Sequence, residues 1–157
     1  MKNRFTPAIR SATIATALLF TTAFSTHATT IFVTNTNDSG SGSLRAALAA
    51  ANDGDTIDAS GVSGTILLTS AELQVTHNVT INGPGAATLA VDGNATFRVF
   101  DNFASNVTIS GLTITNGLGN ASGGGGISNQ GGLTLSGCTV SNNVAGPWLL
   151  LQRRRHQ

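Results

Sequence analysis

The sequence predicts an all-β fold, a parallel β-helix or solenoid, and two observations lead to this prediction. The first is an internal repeat, in which VTISGLTITN at residues 107–116 reappears as LTLSGCTVSN at residues 133–142. A shorter copy, VTING, lies upstream at residues 79–83. The second is the alternation of apolar and polar residues within each copy, typical of strands with one buried face. A period of roughly 26 to 28 residues with this alternation indicates a stack of about three coils.

A change of phase within each copy predicts a corner between two short strands. Val107 and Ile109 alternate with polar residues, but Leu112 follows Ile109 by three positions and falls out of phase. Gly111 and Gly137 occupy this break, where a backbone without a Cβ can bend sharply. Each copy is therefore expected to form a strand, a corner and a second strand.

A turn and a third strand complete each predicted coil. Asn116 and Asn142 follow the second strand and tolerate left-handed backbone geometry, so we expect a turn at each. The third strands are expected at residues 89–91, 97–100 and 126–128. Three strands per coil favour a β-helix over a leucine-rich repeat, because the helical segment and asparagine ladder of that repeat are missing.

The alternation also predicts one continuous apolar core, with Val107 stacked near Leu133. The expected core residues are Val79, Ile81, Val107, Ile109, Leu112, Ile114, Leu133, Leu135, Cys138 and Val140. Cys138 is the only cysteine and aligns with Leu112. It is therefore predicted to be a buried small apolar residue rather than a reactive thiol.

Residues 1–28 have the composition of a cleaved signal peptide. Lys2, Arg4 and Arg10 precede an uncharged, mostly small and apolar run at residues 12–24, and Thr26 and Ala28 suit a signal peptidase site. The run has about 13 residues and is shorter than the roughly 20 that a spanning helix needs. We expect export, to the medium or to the cell surface and outer membrane.

Residues 29–58 are predicted to form an edge strand and a capping helix. Ser43 can cap a helix whose apolar positions, Leu44, Ala47, Leu48 and Ala51, follow helical spacing, and Asn52-Asp-Gly54 ends it. A helix of about nine residues is unstable alone, so it is expected to dock on the open first coil. Residues 59–146 then form the coils.

The cap and coil segments together resemble a known class of bacterial proteins. NDSGSGSLRAALAAANDGDTI, from residue 37, followed by GGGGISNQGGLTLSGCTVSNN, from residue 123, is similar to the amino-terminal part of right-handed parallel β-helix surface proteins. These include the polymorphic outer membrane protein and CSLREA-domain groups. In the cap motif, Gly42 stands where that class often has Cys, and Ala46 where it often has Glu. The resemblance implies a right-handed β-helix displayed at a cell surface.

The last segment, residues 147–157, departs from this pattern. It contains the only tryptophan, Trp148, then three leucines and Arg153-Arg-Arg155, where another glycine-rich link and coil would be expected. This favours a frameshifted or truncated reading of a longer gene over a native cap. The strand edge that it leaves open predicts self-association.

Charge limits the classes of partner. Residues 29–146 contain only Arg45 and Arg98 against seven acidic residues, a net charge of −5. Such a body disfavours nucleic acid and anionic membrane surfaces as partners. We expect glycans or proteins of neighbouring cell surfaces instead, bound by a non-enzymatic, adhesin-like or passenger-type stalk whose first coils are formed by this chain.

Catalytic motifs are sparse, and no cofactor or metal is predicted. His77 is expected in a solvated turn, without a nucleophile for a triad, and the glycine run at residues 123–126 is expected to be a flexible link. The alternative function is a β-helical polysaccharide lyase of the pectate type, in which Arg98, Asp92 and Asp101 would be catalytic with calcium. Against it, alternation in residues 97–100 predicts that Arg98 simply faces solvent.

Overall fold

The computed structural model describes residues 27–120 and 123–146, which form a parallel β-helix of about four turns with one short helix. The predicted fold class is confirmed, but the count of about three coils was too low. The additional coil begins at residues 56–58, which the sequence assigned to the cap. Residues 1–26 of the predicted signal peptide and the whole predicted tail, residues 147–157, lie outside the described residues.

Each coil consists of three short strands, and the helix precedes the first complete coil. Helix α1 spans Leu44–Ala50. The strands are β1 Thr30–Phe32, β2 Thr56–Asp58, β3 Gly64–Leu67, β4 Leu73–Val75, β5 Thr80–Asn82, β6 Leu89–Asp92, β7 Phe100–Asn102, β8 Val107–Ser110, β9 Thr113–Thr115, β10 Ile127–Asn129, β11 Leu133–Ser136 and β12 Thr139–Ser141.

Strands of successive coils lie side by side in three parallel sheets. The first sheet has the order β1-β2-β5-β8-β11, the second β3-β6-β9-β12 and the third β4-β7-β10. In the first sheet, Thr56 pairs with Thr80, Thr80 with Thr108 and Thr108 with Thr134. Val107 pairs with Leu133, as predicted.

The corners follow the predicted backbone geometry. Gly111 and Gly137 have φ values of +62° and +60°, in the left-handed region that favours glycine. Asn116 and Asn142, at the turns after the second strand, have φ values of +51° and +56°. A Cβ on Gly111 would also lie 2.8 Å from the Gly83 carbonyl oxygen of the preceding coil, so this corner requires glycine for packing as well as for conformation.

The predicted third strands are partly wrong. Residues 89–91 belong to β6, which pairs with β9 and is therefore the second strand of its coil. Residues 97–99 precede β7, which begins at Phe100, because a turn at residues 93–97 with left-handed Asn94 and Ala95 delays the strand. The segment at 126–128 is confirmed with a shift of one residue, as β10.

The cap has the predicted construction. The Ser43 hydroxyl accepts a hydrogen bond from Ala46 N at 3.1 Å, and α1 buries Leu44, Ala47 and Leu48 against β2 and β4. The helix has seven residues rather than nine, because Ala51 is already extended at φ −71° and ψ 149°. Ala51 is buried too, so the apolar spacing was predicted correctly even where the helix was not.

Arg45 joins the cap to the first coil. Its Nη1 donates to the Glu72 carbonyl at 2.7 Å, and its Nη2 donates to the Ala71 carbonyl and forms an ion pair with Asp38. The same carboxylate accepts hydrogen bonds from the hydroxyls of Thr69 and Ser70. One charge pair therefore connects the loop before α1, the helix and the turn before β4.

Six of the ten predicted core residues are fully packed, and the exceptions lie in the last coil. Val79, Ile81, Val107, Ile109, Leu112 and Ile114 are at most 4% exposed. Leu133 and Cys138 are only half-buried. The prediction that Leu135 and Val140 are buried was wrong: they are 41% and 50% exposed. No described strand stacks beyond β11 and β12, so one side of each residue is uncovered.

We predict that Ile109→Ala lowers the free energy of unfolding by about 2–5 kcal/mol, as expected for a large apolar side chain lost from a closed core. The matched control is Leu135→Ala, at the position that pairs with Ile109 in the next coil. It should lower the free energy of unfolding by only about 1 kcal/mol, because the Leu135 side chain is already partly solvated. Urea denaturation measures both. Equal losses would mean that the last coil is as well covered as the interior.

A second prediction concerns the cap and pH. Burial raises the pKa of Asp38, but hydrogen bonds from Ser70, Arg45 and Thr69 outweigh it and lower the pKa to about 2, below the usual 3.8. The ionised carboxylate therefore stabilises the fold above pH 3.8, and this contribution is lost as the pH falls towards 2. Asp38→Asn should reduce stability at neutral pH and flatten the acid limb of the unfolding curve.

Hydrogen exchange supplies the control for this experiment. The Asp58 carboxylate accepts a hydrogen bond from Ser60 within its own turn, so Asp58→Asn should leave the α1 amides protected. Asp38→Asn should increase their exchange, since the ion pair that holds Arg45 in place is lost. Unchanged exchange of α1 in Asp38→Asn would contradict the linking role of this ion pair.

Candidate functional site

Arg98 does not face solvent, and that prediction from the sequence was wrong. The residue is only 4% exposed. Its Nη1 lies 3.0 Å from Asp101 Oδ2, its Nε donates to the Gly124 carbonyl at 2.8 Å, and its Nη2 donates to Asn120 Oδ1 at 3.0 Å. The alternation of inward and outward side chains does not apply to Arg98, because this residue precedes β7. It lies instead under the glycine-rich segment at residues 123–126.

Asp101 is the buried partner in this cluster. The residue is 6% exposed, and its second carboxylate oxygen, Oδ1, has no hydrogen-bond partner. Ser128, the neighbour of Asp101 in the next coil, is also buried. The ion pair thus links the segment before β7 to β7 in the third sheet. Both charged side chains are buried in this contact.

The glycine run over this cluster is packed, contrary to the expected flexible link. Gly125 and Gly126 are buried, and their carbonyls accept hydrogen bonds from Val99 N and Phe100 N at 3.0 Å. A Cβ on Gly125 would collide with the carbonyl oxygens of Gly117 and Val144. Glycine is required here because three backbone segments meet without room for side chains.

Asp92, the third residue of the lyase alternative, lies in a different sheet. It ends β6 of the second sheet, whereas Asp101 is in β7 of the third. Its Oδ1 accepts from Asn94 N at 2.7 Å and its Oδ2 from Asn116 Nδ2 at 2.8 Å. The structure therefore brings Arg98 and Asp101 together but places Asp92 in a separate polar ladder between coils.

The remaining titratable candidates have local contacts. His77 is half-buried in a turn, with its Nδ1 3.2 Å from the Thr76 hydroxyl. The Cys138 thiol lies 3.4 Å from the Ile109 carbonyl, and the residue packs against the core but is only partly buried, not buried as predicted. Within residues 27–120 and 123–146, no group of three His, Cys, Asp or Glu side chains could hold a metal ion.

An open groove of about 450 Å³ lies between α1 and β4. Its walls include the Arg45 stem, Leu48 and Ala49 from the helix side, with Glu72 and Gln74 opposite. The sequence predicted that the helix docks on the first coil but not that a groove remains, because the two walls come from segments distant in the chain. Since Arg45 spans the groove to reach the Glu72 and Ala71 carbonyls, the groove is part of the cap contact.

The outer face of the first sheet presents a regular row of hydroxyls, here called the threonine row. It consists of Thr30, Thr56, Thr80, Thr108 and Thr134, paired in one register through five strands. Successive strands lie about 4.8 Å apart. In the described part of the chain, no hydrogen bond occupies the hydroxyl of Thr56, Thr80 or Thr108, so these groups are available to a ligand.

A second polar column runs beside the threonine row, two residues further along each strand. Asp58, Asn82, Ser110 and Ser136 follow one another in register. Ser110 donates its hydroxyl to Asn82 Oδ1 at 3.0 Å and is thus already engaged. The repeat and its shorter copy already aligned Thr80, Thr108 and Thr134, but Thr30 and Thr56 became part of the row only through strand pairing.

Comparison of the chain with protein-family models, with curated proteins and with solved structures finds no match. Among the described residues, no helix is long and apolar enough to cross a membrane.

We predict that Arg98→Ala lowers the free energy of unfolding by about 3–5 kcal/mol, because it leaves the Asp101 carboxylate buried without its ion-pair partner. The double variant Arg98→Met with Asp101→Ala should cost less, since both charges are removed together. Urea denaturation compares them. If Arg98→Ala were as stable as the parent, the arginine would be free to act on a ligand.

Proposed function

We propose that this chain is a non-enzymatic exported β-helix that forms the first coils of a surface-displayed, adhesin-like or passenger-type stalk. The sequence resemblance to β-helical surface proteins supports this setting, and so does the leader-like composition of residues 1–28. A stacked β-helix suits a stalk because every coil lengthens the rod and repeats the same outer faces. Its place is the medium or the cell surface, including an outer membrane.

The threonine row is the observation on which the binding proposal depends. The free hydroxyls recur at the distance between neighbouring strands, about 4.8 Å, and can therefore hydrogen-bond to a polymer with regularly repeating polar groups. The methyl group of each threonine adds an apolar contact. A linear glycan lying along the stack has this chemistry, since its hydroxyls can both donate and accept. Neutral hydrogen bonds of this kind contribute about 0.5–1.5 kcal/mol each, so affinity comes from several rungs together.

Charge is consistent with this choice of ligand. Residues 29–146 have a net charge of −5, and the only acidic side chain directly beside the threonine row in the first sheet is Asp58. Uncharged sugars are not repelled by such a face, whereas phosphate backbones are. Proteins of a neighbouring surface are the other partner class, and binding to them would not need repeating hydroxyls.

We expect the chain, expressed with residues 1–28, to be exported and to begin at Thr29 by mass spectrometry. The purified product should be retained on immobilised neutral polysaccharide. Thr80→Val with Thr108→Val should weaken retention about 10-fold, because two hydrogen bonds are lost while shape and strand preference are kept.

The control changes two exposed threonines of another sheet. Thr65→Val with Thr139→Val alters the second sheet and should leave retention unchanged. Equal loss in both double variants would contradict a binding role for the threonine row. Calcium-dependent cleavage of polygalacturonate, with the absorbance of an unsaturated product, would instead favour the pectate-type lyase.

A further inference from the structure

The two ends of the described stack are finished differently. At the amino-terminal end, α1 packs beside β4, and Thr36 of the cap loop approaches Gly64 of β3. β1, β3 and β4 are the outermost described strands at this end, and α1 lies against β4. At the other end, β11, β12 and β10 are the outermost strands of the first, second and third sheets, with no described strand on their outer sides. The outer edges of these three strands form the end face.

The end face exposes apolar side chains and lacks charge. Leu135 of β11 and Val140 of β12 are 41% and 50% exposed, and Val144, which follows β12, is 59% exposed. No charged residue occurs between Asn102 and Gly146. Exposed edges of soluble β proteins are usually protected by lysine, proline or a covering element, because unpaired backbone groups otherwise pair with another chain. The end face has none of these protections in the described residues.

The shape of the end face fits a second copy of itself. Because the chain climbs as it winds, β10, β11 and β12 are three successive steps of a ramp, with β10 lowest and β12 highest. A two-fold axis through the middle of β11 places each raised β12 over the recessed β10 of the other copy. The same axis pairs β11 with β11, antiparallel. All three edges are then paired at once.

We propose that this chain forms a two-fold dimer through the end face, with the two β-helices joined end to end. Such a contact uses the same surface of both copies and closes after two chains. Head-to-tail stacking is disfavoured, because α1 lies beside β4 at the opposite end and would obstruct pairing with β10 of another copy, and because such a contact would continue into filaments rather than close. The absence of charge on the end face also means that two copies meet without like-charge repulsion.

Sedimentation of the purified chain, with its amino terminus defined by mass spectrometry, tests the proposal. We expect a monomer–dimer equilibrium without larger species. Leu135→Lys should raise the dimer dissociation constant about 100-fold or more, because the two-fold axis sets the two new charges close together. Hydrogen exchange should show that β11 and β12 amides become protected as concentration rises, while β1 amides do not.

Phe32→Lys is the matched control, because Phe32 is 63% exposed on β1 at the opposite end. It should leave the dissociation constant unchanged. Val140→Lys is the second variant if Leu135→Lys loses its β-sheet circular dichroism. A monomer at all concentrations would overturn the proposal, and so would species that grow with concentration and dissociate in Phe32→Lys.

Discussion

The whole structure depends on one constraint: a single coil of three short strands is too thin to enclose a core by itself. Each inward side chain is covered only when the next coil places a similar residue directly above it. Ile57, Ile81 and Ile109 meet this condition in the first sheet, and all three are at most 1% exposed. These side chains are therefore buried because the parallel strands stack in register. The loops between the strands vary in length without changing that register.

The same constraint makes the ends the weak points of the fold. An interior coil is covered on both sides, whereas an end coil needs something else. At the amino-terminal end, α1 supplies apolar cover and Arg45 binds the Ala71 and Glu72 carbonyls. At the other end, Leu135 and Val140 have the spacing of core residues but not their burial. The proposed dimer would meet the same need by using a second copy as the cover.

Polar residues follow the stacking rule as well. A polar side chain at the end of a strand can bond to the equivalent side chain of the next coil. Asn102 Nδ2, for example, donates to Asn129 Oδ1 at 2.7 Å. Buried charge is tolerated at Arg98 because Asp101 and the Gly124 carbonyl are within reach. On the outer face of the first sheet, stacking leaves the threonine hydroxyls free, and this is why a binding role is proposed there.

Local pattern in the sequence determined the strand and corner chemistry of the repeat. The spacing of Val107, Ile109 and Leu112 predicted two strands and a corner, and the glycine and asparagine positions predicted where the backbone turns left-handed. Ser43 likewise predicted the start of the cap helix. These features depend on residues close in the chain, so sequence alone contains the necessary information.

Only the tertiary structure decided which segments stack and how well each residue is covered. The strand at residues 89–92 belongs to the second sheet because it pairs with β9, and nothing within it indicates this partner. Arg98 follows the strand-like alternation yet is buried, since Asp101 and the glycine-rich link close over it. Leu135 repeats the pattern of Ile109 but not its burial, because cover comes from a neighbouring coil and not from the residue itself.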